Sequence, residues 1–275
     1  MFKIFTLTLF SISSLLFSKE DKHDLAVCAI FHNEARFLDE WIEHYLQEGV
    51  EKIYLYNNKS DDEYLVVLHK YINAGTVTLI EWPYDNEPLT TWNSTQCSAY
   101  RHCINKVNKN TKWLIFVDTD EFMFSPTGKL LKDVVKDYED CDQVGACWVF
   151  YGTSNVQRLP NGAHLKDHMI YRQKEVNITV KSIVKPKKVI DCINPHFFIM
   201  KEGSRTVNEN KEPMSGAFTT PSANILRVNH YWARDLDFFY NEKLRRRKSW
   251  VNGEIQSFID AEKSMNEVYD PILSD

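Results

Sequence analysis

A chain of 275 residues with 43% hydrophobic content can bury one substantial core and is short for two. Its net charge of −5, with both signs spread along the chain, excludes a polycation that holds nucleic acid or membranes through bulk charge. Six cysteines stand at 28, 97, 103, 141, 147 and 192 without a Cys-x-x-Cys pair, which argues against a zinc knuckle or a thioredoxin-like motif.

At the N-terminus, Lys3 precedes an apolar stretch from Ile4 to Phe17, and Lys19-Glu20-Asp21-Lys22 follows. Residues 1–22 therefore have the layout of a secretory signal or a short membrane anchor, with an apolar run below the roughly 20 residues of an ordinary span. This layout implies an export pathway or membrane association through the N-terminus, a cytoplasmic location being the alternative. Residues 23–275 are expected to form a single domain.

Leu25 to Phe31 is a continuous apolar run, the pattern of a strand buried on both faces. Beyond His32-Asn33-Glu34, Leu38, Trp41, Ile42, Tyr45 and Leu46 recur at helical spacing until Gly49. A strand at Lys52–Tyr56 and the polar turn Asn57 to Asp62 come next. A helix from Glu63 to Asn73 is expected to turn Leu65, Leu68 and Ile72 inward. Val77–Trp82 is a third strand, Thr95–Val107 a helix and Trp113–Val117 a fourth strand.

The second half reads differently. A short amphipathic helix at Leu130–Tyr138 precedes a strand at Val144–Tyr151 and a β-rich stretch from Tyr171 to Val189. Glu202 to Asn224 is polar and predicts a long loop, suited to a lid or an acceptor-binding role. Asp235 to Trp250 predicts a helix ending in the basic run Arg245 to Lys248, which complements the helix dipole. The alternation of strands and helices predicts an α/β sheet with ligands beyond the strands' C-terminal ends. His32-Asn33-Glu34, Asn57 to Asp62, and Asp118 to Glu121 all fall at such ends.

Asp118-Thr119-Asp120-Glu121 directly follows the fourth strand. Two carboxylates one residue apart at a strand end can both reach a divalent ion, which can neutralise the diphosphate of a nucleotide leaving group. Oxygen ligands favour magnesium or manganese over zinc. No Gly-x-x-x-x-Gly-Lys loop is present, which weakens the rival reading of a nucleotidyl or phosphoryl transferase. A non-catalytic carbohydrate-binding protein is the other rival.

The ordered series Phe31-His32-Asn33-Glu34-Ala35, Glu40-Trp41-Ile42-Glu43-His44, Tyr54 to Asp62, Gln96 to Cys103, Trp113 to Phe122, Lys181 to Pro186, His196 and Asn229-His230-Tyr231-Trp232 resembles glycosyltransferase family 92. The resemblance covers nearly all of residues 25–250. It implies a GT-A-type nucleotide-sugar-binding fold: a mostly parallel central sheet flanked by helices, a β-rich second half and a C-terminal helix. It further implies a metal-dependent inverting transferase that moves a hexose, galactose among the options, from a uridine diphosphate donor to a glycan or glycoconjugate.

On this resemblance Asn33, Glu34, Asn58 and Asp61 would lie beside the nucleotide, and Lys181 would meet the diphosphate. Asp118, Asp120 and His230 would hold the metal, with His196 competing for the histidine's place. A carboxylate should deprotonate the acceptor hydroxyl, and Asp167 and Glu175 lie in the stretch where it is expected. Trp82, Trp92, Trp148 and Trp232 are sugar-platform options, Trp232 foremost. Asn58, Asn93 and Asn177 open formal glycosylation sequons, the first inside the expected donor pocket. A bridge between Cys141 and Cys147 stays open.

Overall fold

The computed structural model describes residues 22–85, 88–250 and 255–274. The expected signal or anchor lies almost wholly outside them. Among the described residues no helix is long and apolar enough to cross a membrane.

The first half is β1 (His23–Phe31), α1 (Ala35–Gln47), β2 (Lys52–Asn57), α2 (Tyr64–Asn73), β3 (Val77–Glu81), α3 (Leu89–Val107) and β4 (Thr111–Phe116). The chain continues through β5 (Glu121–Phe124), α4 (Leu131–Val134), β6 (Gln143–Phe150), α5 (Leu165–His168), β7 (Tyr171–Arg172), β8 (Val180–Val184), β9 (Val189–Asn194) and β10 (Phe197–Met200). It ends with β11 (Thr206–Asn208), β12 (Arg227–His230), α6 (Leu236–Phe238), α7 (Leu244–Trp250), α8 (Gln256–Ser264) and β13 (Val268–Tyr269).

Nine strands form one sheet in the order β3-β2-β1-β4-β8-β6-β12-β5, with β11 also paired to β6. The β3-β2-β1-β4 half is parallel throughout. The other half is mixed: β8 runs antiparallel to β4 and β6, and β5 antiparallel to β12. The expected α/β architecture is thus present, with its parallel character concentrated in the first half.

β1 shows why its run is apolar on both sides. Leu25, Val27, Ala29 and Phe31 pack with Phe37, Leu38 and Trp41 of α1, while Ala26, Cys28 and Ile30 pack with Ala99, Tyr100 and Cys103 of α3. Successive strand residues face opposite layers, so both parities must be apolar. In α2, Leu68 and Tyr71 take the buried positions, and Leu65 is exposed, contrary to the expected inward stripe. All six cysteines are buried and free, so the open bridge between Cys141 and Cys147 is absent.

The 202–224 stretch, expected as a plain loop, contains β11. Its Thr206, Val207 and Asn208 pair in parallel with Gln143, Val144 and Gly145. The helix expected over 235–250 is interrupted by a π turn, Phe239–Lys243, between α6 and α7.

Candidate active site

The strand order reverses beside β1: the chain leaves it for β2 on one side and returns as β4 on the other. Such a switch point opens a crevice at the carboxyl ends of the strands. β6 and β12 run in the same direction as β4, because β8 is antiparallel to both β4 and β6 and β12 is parallel to β6. The ends of β4, β6 and β12 and the starts of β5 and β8 therefore meet at one edge. In register, His230 lies opposite Glu121 on β5 and Phe150 on β6.

α1 fixes the acidic loop there. Trp41 Nε1–H points between the carbonyls of Asp118 (3.1 Å) and Glu121 (3.0 Å), and Tyr45 Oη–H donates to the Glu121 carbonyl at 2.9 Å. The Asp118 N–H donates to Glu121 Oε2 at 2.8 Å, closing a tight turn. The helical stripe that marks α1 as a core helix thus also holds the carboxylates.

The side chains form a buried ionic network. Lys181 Nζ lies 3.0 Å from Asp118 Oδ2 and 3.2 Å from Glu121 Oε2, and Gln96 Nε2–H donates to Asp118 Oδ1 at 2.5 Å. Asp120 Oδ2 accepts from Lys243 at 2.7 Å and faces Arg234 at 3.6 Å, while its Oδ1 faces His230 Nε2 at 3.4 Å. Arg234 also donates to Glu34. On the far side of the imidazole, His230 Nδ1 and Glu121 Oε1 stand 3.8 Å apart, both buried and without hydrogen-bond partners.

Burial works to raise Asp120, but Lys243, His230 and Arg234 outweigh it and hold the carboxyl well below its usual range. At Asp118 burial is likewise outweighed, chiefly by Lys181. Glu121, farther in, is pushed well above the carboxylate range by burial despite Lys181. Burial lowers His230 against the pull of Asp120, which favours the neutral imidazole that ligates metals. Lys243 is brought down to about 8 by burial, with Asp120 opposing.

Two of these cations depend on irregular backbone. Arg234 sits at φ 55 and is fully buried, its guanidinium 4.8 Å from the ring centre of Phe37 and 4.5 Å from that of Phe238. Such left-handed conformations in large residues cluster at functional sites. Lys243 closes the π turn, a device also concentrated at functional sites. The sequence signal for Lys243 is faint, since it continues into the basic run Arg245 to Lys248, and for Arg234 there is none beyond its nearness to His230.

A cavity of about 590 Å³ opens over this network. His32 and Glu34 border it from the end of β1, Gln96 from α3, and Asp118 to Asp120 from below. Trp148, Phe150, His196, His230 and Trp232 form the opposite wall, with Lys243 and Arg245 to Arg247 alongside and Phe258, Ala261 and Met265 beyond. His196 Nδ1 lies 3.0 Å from the Val180 carbonyl, and burial, with Lys181 adding to it, lowers its imidazole to about 3.

Asp118, Asp120 and His230 are thus brought together, with Glu121 behind them. Asp120, Glu121 and His230 each offer a ligand atom within 4.8 Å of the others. Glu34 is on the wall, paired to Arg234 rather than capping α1. Lys181 is not on the wall. It is a fully buried counter-ion beneath Asp118, which leaves the cationic position at the rim to Lys243.

Asn33 and Asp61 face each other instead of the cavity: Asn33 Nδ2–H donates to Asp61 Oδ1 at 2.7 Å, and the Asp61 N–H to Asn33 Oδ1 at 2.9 Å. Asn33 borders a separate cavity with Asp62 and Arg158. Asn58 is fully buried and donates to the carbonyls of Trp82 and Tyr84, so its sequon is inaccessible. Asp167, in α5 beside His164, and the exposed Glu175 border no part of the cavity.

The family model for glycosyltransferase family 92 matches residues 23–254. A family 92 glycosyltransferase of Oryza sativa subsp. japonica is 31% identical over 220 residues, covering 76% of this chain and 33% of that protein. One from Ricinus communis is 29% identical over 243 residues, covering 84% of this chain and 39% of its own. A β-1,4-galactosyltransferase of Caenorhabditis elegans is 27% identical over 219 residues, covering 76% of this chain and 48% of its own. The chain therefore spans between a third and a half of the length of these relatives. With a match over most of its length and an acidic site at the sheet's switch point, the chain belongs to glycosyltransferase family 92.

Proposed function

We propose that this glycosyltransferase takes a hexose, galactose in our reading, from a uridine diphosphate donor and passes it to a hydroxyl of a glycan by a single in-line displacement. The name of the nematode relative supports galactose. The observation that carries the reading is the carboxylate–imidazole pair at the cavity floor, Asp120 Oδ1 and His230 Nε2 at 3.4 Å, which a cation would bridge.

This pair suits a magnesium or manganese ion. Asp120 Oδ2 is already matched by Lys243, so Oδ1 and the neutral imidazole are the atoms left to hold a cation. Glu121 Oε1, partnerless behind Nδ1, is placed to orient the ring. Asp118 borders the same space with about a third of its side chain exposed. When bound, the ion would supply positive charge to the departing diphosphate.

The chain's own residues do the remainder. Lys243 and Arg245 to Arg247 give the cavity a cationic rim for phosphate oxygens. His32 and Glu34 offer polar groups to the nucleoside at the end of β1. The acids on the wall, among the described residues, are Glu34, Asp118 and Asp120, so the acceptor's proton goes to one of these rather than to Asp167 or Glu175.

The test is turnover of UDP-galactose with manganese, read by mass spectrometry. Wild type should release UDP. Asp120→Asn should cut turnover by about 10²–10³, on the scale of losing one preorganised charge-stabilising group. Turnover that persists in excess chelator would overturn the metal reading, and release of UMP would overturn the transfer reading.

A further inference from the structure

The cavity is closed on one side by α8, which lies beyond the family-matched residues 23–254. Its docking is specific. Glu262 Oε1 accepts from the Thr153 N–H at 3.0 Å and from Thr153 Oγ1 at 2.8 Å, and Asn266 Oδ1 accepts from the Ser154 N–H at 2.7 Å. The Gly152 N–H donates to the Met265 carbonyl at 3.0 Å. A Cβ at Gly152 would come within 2.4 Å of the Asn266 amide, so the close approach requires glycine.

The wall built this way differs in chemistry from the rest of the cavity. Phe258, Ala261 and Met265 bring no charge or hydrogen-bonding group. Phe258 stacks on Trp232, with ring centres 6.1 Å apart and planes at 29°. Phe150 stacks on His230 at 4.9 Å and 29°, so aromatic surface runs from the acidic floor towards α8. These α8 side chains offer a diphosphate no donor of their own, although Lys243 and Arg247 lie 5.5 and 5.8 Å from the ring centres of Trp232 and Phe258. The C–H face of a pyranose gains from such a wall, because packing it flat on aromatic rings removes apolar area from water while its hydroxyls stay free for polar partners.

We infer that the wall of Trp232, Phe258 and Met265 is the subsite for the sugar ring of the acceptor, and that α8 sets which glycan the enzyme accepts. The inference builds on the transferase reading above, but sugar binding at this wall is measurable without turnover.

The experiment is saturation-transfer NMR on the whole chain with methyl glycosides of β-galactose, β-glucose, β-N-acetylglucosamine and α-fucose, alone and with UDP. At least one glycoside should bind with its ring C–H signals saturated. Phe258→Leu, which keeps bulk and removes the flat ring, should weaken that binding at least fivefold, and Phe258→Tyr should restore it to within twofold. The affinity for UDP-galactose should move less than twofold in both. No glycoside bound by wild type, or equal affinity in Phe258→Leu, overturns the subsite. Glycoside binding without UDP-galactose binding would instead sink the donor proposed above and leave the subsite standing.

Discussion

The strands of the β3-β2-β1-β4 half bury aliphatic and aromatic side chains almost throughout, with Asn57 and Thr111 as polar exceptions near strand ends. Across the seam, β5, β8 and β12 bury Glu121, Lys181, Arg227, Asn229 and His230. The first half is stabilised by area removed from water, which tolerates rearrangement provided volume is kept. The second is held by matched charges, where each group is tolerable only because its partner is present. Two such networks flank β12. One is the acidic site, and in the other Arg227 joins Tyr151, Asn229 and Asp270. The comparison teaches that the half of the sheet that carries the acidic candidate site is also its most brittle part.

Lys181→Met is the sharpest way to break that contrast. It would strand Glu121 and the inner oxygen of Asp118 without their buried cation, and urea unfolding at pH 7 should show a loss of about 3–5 kcal/mol. Trimming one methyl group in the apolar half should cost only about 1 kcal/mol. Adding Asp118→Asn should recover part of the loss, because Lys181 holds that carboxyl in its charged form and the stranded charge goes with it. Equal costs in the two halves would end the distinction.

His44 tests the seam itself. Its Nε2–H donates to the Met123 carbonyl of β5 at 2.8 Å, and burial lowers the imidazole to about 4. With a free histidine near 6.5, the unfolded chain takes up this proton first as pH falls. Stability is therefore complete above about pH 6.5 and declines from there towards pH 4. From pH 7 to pH 5 this one group should remove about 2 kcal/mol. His44→Gln should flatten the urea-midpoint slope by that amount, and an unchanged slope would show that the ring is not held neutral at the seam.

What the sequence made legible follows the same division. Apolar runs and helical stripes located β1 to β4 and α1 to α3, because area burial writes itself into residue type at fixed periods. The Asp118–Glu121 turn and His230 were legible too, since their order along the chain marks the family. Arg234 and Lys243 were not: one depends on a left-handed backbone position and the other on a π turn, and neither leaves a periodic trace. β11 was hidden because three residues in a polar stretch carry too little pattern to mark a strand. The burial of Lys181 was also illegible, since an isolated lysine in a strand gives no sign of the carboxylates that fold brings to it.

The smallest expected effect lies wholly inside the apolar half. Asn33, after β1, and the loop after β2 are polar enough to suggest ligand binding, yet in the structure they bind each other, while His32 and Glu34 border the cavity. Asp62 Oδ2 accepts from the Ala35 N–H at 2.7 Å, so a residue from the second loop caps α1, whose own first residues provide no side-chain cap. Asp62→Ala should therefore lower stability by about 1 kcal/mol, the usual worth of a helix N-cap. Because α1 carries Trp41 and Tyr45, the loss of the cap should also loosen the acidic turn slightly, and donor KM should rise by less than threefold. A tenfold rise with no loss of stability would mean that the loop after β2 touches the nucleotide as well, and that the binding region extends past His32 and Glu34 to Asp62.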